Sequence, residues 1–587
     1  MFKKLLKPVL PKRVLSFWKE NLSLFFFLLF ITLLATFFSL SFPLLLRYII
    51  DSIQKKLAKQ LVIKYILLLL SFGFFRSLLS SILPFLRGKT NEQFAYKIRN
   101  QIYYSLLKKG VTFLNKYPSG DVIERLSEDL NDYAWFCCSG IFRPFEGIFT
   151  IIIALIILLK MNLLLTICAL FPIFFAFFVW YKLGPLFTKA YYTWREKISL
   201  TYNFFSSSFF GIRIVKTYLL FENLLKKLWE ILNERIKWAI RVAKLEAKLG
   251  IFYTAIAESS ILIIFLLGGY LVIKEKITIG QFVAFNAYVI MLLTPMFDIS
   301  NFFIASRRAV ACEERLLALE SFPPDVEEKK EGKIITDFDE LILENLSFAY
   351  NEEKVLTNIN LIIRKGEKIG IAGTVGSGKS TLVKILLKLI KPKEGKIYFK
   401  KDGESFDYEQ LKNENVRQFF SYVPQDSFIF SDTIYNNLLF DKKLKEEELN
   451  YFINLVSFQK ELKEMKNGIL ELVGERGTGL SGGQKQKLSL LRALLEKRKI
   501  LILDDATSNL DSEQELKIIN QIINQFKELT IIIISHRLST LQNCERIYVL
   551  DKGRIVEEGN HEELLKKEGR YYQLYKKQLL KEAIEKV

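Results

Sequence analysis

Six apolar runs constrain this chain more than any other feature. They lie approximately over residues 22–46, 61–86, 139–160, 163–184, 251–273 and 279–304. Each approaches or reaches the roughly 20 apolar residues a helix needs to cross a bilayer. Backbone placed in lipid must satisfy its own polar groups, so such runs are expected as spanning helices. Half of all residues are hydrophobic, Phe alone supplies 50, and mean hydropathy is +0.19. That balance suits a chain that is part membrane and part globular. No small-residue cleavage site follows the first run, so it is expected to stay rather than act as a cleaved leader.

The spacing of the runs carries more. Very short turns, Lys160–Asn162 and Lys274–Thr278, join the third run to the fourth and the fifth to the sixth. The linkers after the second and fourth runs are long and read as amphipathic helix, as in "NLLKKLWEILNERIKWAI". At about 1.5 Å per residue they would carry the helices tens of ångströms past the bilayer. Lys and Arg concentrate in these linkers and in the N-terminal segment, which places that side in the cytoplasm; Arg47, Lys55, Lys56 and Lys59 oppose this and are outnumbered. The formal charge of +20 has the same origin. No basic-aromatic platform or groove-reading motif points to nucleic acid. Pro43, Pro84, Pro144, Pro172 and Pro295 are expected at kinks or helix ends. Cys137, Cys138, Cys168, Cys312 and Cys544 are odd in number and lack metal-ligand spacing.

Ionisable residues inside the runs need a partner or a watery cavity, because charge in lipid is costly. Arg143 and Glu146, at i and i+3, read as an internal ion pair. Glu258 and Asp298 read equally as the lining of a polar substrate cavity or as paired, snorkelling groups.

A charged stretch, Ser321–Lys333, separates this half from one of different character. The expected organisation is a membrane domain over 1–310, a linker over 311–335 and a cytosolic domain over 336–587. In the last, the apolar strand "KIGIAG" feeds the turn Gly373, Thr374, Val375, Gly376, Ser377, Gly378, and a helix opens at Lys379, Ser380 and Thr381. This is a complete P-loop in strand–loop–helix context. Its glycines let backbone N–H groups at a helix N-terminus surround phosphates. Lys379 supplies a point charge for the β/γ-phosphates, and the Ser380 hydroxyl suits Mg²⁺. The strand "KILILDD" brings Asp504 to its carboxyl end as a second metal-holding group, and places Asp505 where a carboxylate orients the attacking water. A third strand, "TIIIIS", leads to His536, one of two histidines, as a γ-phosphate contact. Between them, Ser481, Gly482, Gly483 and Gln484 open another helix and make a second anion-ready terminus.

Together these residues resemble the ATP-binding cassette (ABC) family, whose most specific mark is "LSGGQ" between a P-loop and "LILDDATS". Behind six helices with cytoplasmic extensions, nearly the whole chain resembles a type IV exporter half-transporter of the multidrug and lipid-flippase kind. "NKYPSGDVIERLSEDLNDY" and "GIRIVKTYLLFENLLKKL" resemble its two intracellular coupling regions. The implied fold is an α-helical six-span transmembrane domain followed by an α/β P-loop nucleotide-binding domain. The implied activity is ATP-driven export, with ATP and Mg²⁺ bound and the cassette on the cytoplasmic face of a bacterial plasma membrane. By resemblance Tyr350 stacks on adenine, Gln425 touches Mg²⁺, "ELVGERGTG" contacts the intracellular loops, and Asp511 lies in the loop that crosses between cassettes. His536 is the switch histidine, and each signature Ser481–Gln484 faces the P-loop of a second half-transporter. The family's usual residue at position 505 is Glu. Asp there resembles the weakly hydrolysing subunit of heterodimeric exporters, while intact Gln425, His536 and P-loop leave a slow homodimer open. An ATP-gated channel or regulatory subunit shares the architecture. The implied cargo is small and amphipathic. Only about 20 residues precede the first run, which leaves no room for a peptidase domain and disfavours bacteriocin processing.

Overall fold

The computed structural model describes residues 10–328, 331–350, 353–440, 442–474 and 477–585. The chain divides into two compact units, one of residues 1–106 and 119–321, the other of 107–118 and 322–587.

The first unit is helical. A short helix, Lys12–Glu20, precedes Leu22–Gln54, Lys59–Leu106, a run from Ser119 to Met161 with two π-helical segments, Leu163–Phe210, and Phe221–Ile273 with one. Ile279–Met291 and Leu293–Glu320 complete it. Among the described residues four helices are long and apolar enough to cross a membrane: Leu22–Gln54, Lys59–Leu106, Ser119–Met161 and Phe221–Ile273. Leu163–Pro172 and Ile279–Met291 are shorter apolar stretches. Lys59–Leu106 and Leu163–Phe210 have 48 residues each, so each runs about 72 Å. That is more than twice the roughly 30 Å of a hydrocarbon core. Pro43, Pro84, Pro144 and Pro172 sit inside helices. The helix break falls at Leu292, shortly before Pro295.

The expected Arg143–Glu146 pair does not form. Glu146 Oε2 instead lies 2.9 Å from Arg87 Nη2, which also donates to Thr32 Oγ1 at 3.2 Å. Arg87 is buried and Arg143 exposed. An unpaired buried guanidinium costs far more than an unpaired exposed one, so the buried partner takes the carboxylate. Glu258 is exposed and Asp298 half-buried.

The Lys12–Glu20 helix is fixed from a distance. Its N-cap is Pro11, which offers no capping side chain. Buried Glu313 accepts from Lys12 N at 3.1 Å and Arg13 N at 2.9 Å, and also from the Tyr133 hydroxyl at 2.8 Å. A carboxylate at this end satisfies orphan N–H groups and the positive pole of the helix. Val14, Phe17 and Trp18 then pack on Phe94, Tyr133 and Phe142. Glu313→Ala is expected to cost about 2 kcal/mol, since buried donors lose their acceptor. A lower melting temperature of the purified protein measures it.

The second unit holds two main sheets. One is antiparallel, in the order β2-β1-β4-β5, from β1 Glu340–Tyr350, β2 Glu353–Arg364, β4 Glu394–Lys401 and β5 Glu404–Asp407. The other has the order β12-β11-β3-β10-β9-β6, from β3 Lys368–Gly373, β6 Phe420–Val423, β9 Ile500–Asp504, β10 Thr530–Ile534, β11 Arg546–Asp551 and β12 Arg554–Gly559. A two-residue ladder pairs β7 Asp432–Thr433 with β8 Leu472–Val473. Strands β11, β3, β10, β9 and β6 run parallel. Their continuous apolar sequences follow from burial on both faces: Ile531, Ile533, Leu501 and Leu503 enter one core, and Ile532, Ile534, Ile500 and Ile502 the other.

Candidate nucleotide site

Parallel register sets the site. Ile534 of β10 lies opposite both Ile371 of β3 and Asp504 of β9, and Val423 of β6 lies opposite Leu503. Four strands therefore end together; Asp504 is the last residue of β9, and the loops that leave the strands carry the P-loop, Asp505, His536 and Gln425. Crevices at the carboxyl ends of parallel strands are where such sheets bind ligands.

Gly376 and Gly378 take positive φ, +81° and +105°. A Cβ at Gly378 would sit 2.7 Å from a Leu356 methyl and 3.1 Å from the Val355 carbonyl. The tight turn thus needs glycine on conformational and steric grounds. Lys379 is buried, and its ammonium donates to the carbonyls of Gly373 at 3.0 Å and Thr374 at 2.8 Å. Burial lowers its pKa, against the pull of Asp505 and Asp504. Ser377 Oγ is buried without a partner. Val375, Gly376 and Ser380 are exposed, Thr374 and Gly378 half-buried, and Thr381 buried. A loop of open amides with a retained cation and an unmet hydroxyl fits a polyphosphate.

Asp504 is buried at the end of β9. Burial raises its pKa, and the neighbouring Asp505 charge adds to this. The Tyr422 hydroxyl donates to its Oδ2 at 3.3 Å, and the nearby Ser380 hydroxyl favours its charged form. Ser380 and Asp504 together fit a hard cation, which prefers oxygen ligands. Gln425 is exposed in the loop after β6. Asp505 has left-handed backbone, φ +45°. Its Oδ1 accepts from His536 N at 2.9 Å, and its Oδ2 lies 3.1 Å from His536 Nε2. Both carboxylate oxygens are engaged by one residue. Tyr350, half-buried, meets Phe348 edge-on with centroids 4.8 Å apart.

The signature stands elsewhere. Ser481 and Gln484 form a reciprocal capping box on the Gly482–Leu495 helix. Ser481, Gly482, Gly483 and Gln484 line a cavity of about 470 Å³ with Lys487 and Asp511. No P-loop residue is among its described walls. Glu475 and Arg476, within "ELVGERGTG", lie outside the described residues.

A network that sequence reading missed ties the signature helix to Arg537, the residue after His536, through the 507–510 loop. Buried Gln486 donates to Ser508 Oγ at 3.0 Å and accepts from Asn509 N at 2.8 Å. Arg537 donates to the Leu510 carbonyl at 3.2 Å and pairs with Glu515, which accepts from Thr507 at 2.7 Å. One signal was legible: Glu515 falls on the same buried stripe as Ile518, Ile519 and Ile522, and a buried charge demands a partner.

Comparison with known proteins identifies the family. Residues 25–296 match the ABC transporter transmembrane region, and residues 356–508 the ABC transporter family. The chain is 30% identical to the ATP-dependent lipid A-core flippase of Desulfotalea psychrophila, over 87% of this chain and 89% of that protein. It is 30% identical to a probable multidrug resistance ABC transporter ATP-binding/permease protein of Bacillus subtilis, over 82% and 83%. A bacterial Atm1-family ABC exporter with ATP bound shares the fold at TM-score 0.79 and 21% identity, over 95% of this chain and 98% of that one. A P-loop, two aspartates and a histidine at the carboxyl ends of one parallel sheet, a second unit with membrane-length helices, and 30% identity to a flippase over most of both chains place this integral membrane ATPase in the ABC transporter family.

Proposed function

We propose that the chain is one half of a dimeric exporter that uses MgATP to move a hydrophobic or amphipathic molecule (drug-like, lipid or peptide) across the membrane. The gathering of Lys379, Asp504, Asp505 and His536 on one chain with membrane-length helices carries this reading, and the flippase and multidrug relatives support it. The membrane unit spans six times, the cassette faces the cytoplasm of a bacterial cell, and each signature Ser481–Gln484 meets nucleotide held by the partner's P-loop. Ser380 and Asp504, with Gln425, would hold Mg²⁺, which supplies charge neutralisation at the phosphates. Tyr350 stacks on adenine, and the amides of Gly373–Thr381 and the Lys379 ammonium hold the phosphates. ATP's preference for the closed pair of cassettes biases the membrane helices, and hydrolysis resets them.

The partner is a second, different half-transporter with Glu after its metal-binding Asp. Asp505 favours this, since its carboxylate is shorter than Glu and already engaged by His536. The intact P-loop, Gln425 and His536 favour a slow homodimer as the second reading. The test is flux in proteoliposomes with Hoechst 33342 and a fluorescent phosphatidylethanolamine. Accumulation against a gradient that requires MgATP supports a pump, whereas ATP-dependent dissipation of a gradient makes the protein a gated channel.

A further inference from the structure

Residues 107–118 join two membrane-length helices, yet they cluster with the cassette's unit. The reason is a set of contacts with the segment that begins the cassette. The helix Val111–Lys116 has glycine at its N-cap and no capping side chain of its own. Asp325 supplies the acceptor, taking the Thr112 amide at 3.1 Å and the Thr112 hydroxyl. A Cβ at Gly110 would lie 2.2 Å from the Asp325 carboxylate, so the approach requires glycine there. Phe113 is buried, with its ring 5.5 Å from Phe322 and 5.2 Å from Tyr117. The Lys116 ammonium lies 5.3 Å from the Phe322 ring centre, and Lys109 donates to the Phe322 carbonyl.

The same segment is fastened again further on. Asn413 donates to the Glu327 carbonyl at 2.9 Å, and Arg417 pairs with Glu328 at 2.8 Å. Arg417 also donates to the carbonyl of Lys388 at 3.1 Å, just past the end of the P-loop helix Lys379–Leu386. The helix Asn413–Arg417 leads into β6, whose far end carries Tyr422 and then Gln425. One run of contacts therefore extends from the 107–118 loop, through 322–328, to both the P-loop helix and the strand before Gln425.

We infer that residues 322–328 are a stiff coupling rod rather than a tether. Phe322 and Asp325 are positioning residues that fasten the Val111–Lys116 helix to the cassette of the same chain, and this fastening stays closed through the ATP cycle. The inference rests on the transport reading only in assigning a purpose to the movement. Motion that MgATP imposes on the P-loop helix and β6 reaches the 107–118 loop through the rod, and the two long helices flanking that loop receive it by covalent continuity. A charged, proline-containing linker needs those cross-contacts to be stiff, because its composition alone leaves it free.

The experiment uses the full-length dimer in lipid nanodiscs. Hydrogen exchange is followed in Lys59–Leu106 and Ser119–Met161, with and without MgATP. In the parent protein MgATP is expected to change exchange in both helices. In Phe322→Ala/Asp325→Ala, MgATP binding stays within about twofold of the parent, while the change in exchange falls at least tenfold. Asp325→Asn, which keeps one acceptor oxygen, restores part of it. Thr112→Cys/Asp325→Cys, cross-linked by oxidation, keeps the full change and at least half of the ATPase activity. The inference is overturned if the double alanine variant transmits as the parent does, or if the cross-link arrests turnover. Should the alanine variant fail to fold, the cross-linked protein alone decides. A parent protein that transports nothing defeats the pump reading, and leaves this exchange measurement intact.

Discussion

Lys379→Ala is expected to lower ATPase activity on the order of 100-fold or more, the scale for removing one preorganised group that meets developing charge. Lys379 is the cation held inside the P-loop, bound to two carbonyls of its own turn and within reach of the charges of Asp504 and Asp505. Alanine frees those carbonyls to water and leaves two carboxylates facing incoming phosphates without the neighbouring ammonium. Binding of a fluorescent MgATP analogue should weaken at least tenfold, with the melting temperature of the apo protein nearly unchanged. The change made in both halves of the dimer should abolish transport. Robust ATP-driven flux in that double variant would defeat the assignment of the P-loop as the motor.

Asp505→Glu is expected to act in the opposite direction, raising the ATPase rate of the chain on its own. In the native residue the carboxylate is held by the amide and imidazole of His536. One added methylene moves it about an ångström further out, and a misplacement of that size is worth on the order of 100-fold in rate. The gain has a structural cost. The backbone at 505 is left-handed at φ +45°, a conformation Asp tolerates better than Glu, so about 1 kcal/mol of stability is expected to be lost. Steady-state hydrolysis by the two purified forms decides the matter. Equal rates would refute a weakly hydrolysing site at Asp505 and favour the homodimer.

The elements most legible in the sequence were those set by local pattern. The P-loop, with its glycines and its lysine at the helix start, is fixed by neighbours a few residues away, and so is the apolar strand that ends at Asp504. Long helices were legible because lipid demands unbroken apolar runs. What escaped was decided by groups far apart in the chain. Arg87 takes Glu146 from the nearer Arg143 because burial ranks partners and sequence distance does not. The Ser321–Lys333 stretch looked like a plain charged connector, since nothing local shows that Asp325 caps a helix more than 200 residues earlier. Gln486 and Arg537 were hidden for the same reason: each bonds the loop after Asp505, and only the folded sheet brings the signature helix, that loop and Arg537 together.

The capping of the Lys12–Glu20 helix has a consequence for synthesis. Its acceptor, Glu313, is made about 300 residues later. At ribosomal rates of about 5–20 residues per second, roughly 15–60 s pass between them. Throughout that interval the Lys12–Glu20 helix lacks its acceptor, which arrives only with the Leu293–Glu320 helix. A chain broken off before Glu313 therefore leaves the first turn of that helix without the carboxylate that satisfies its amides.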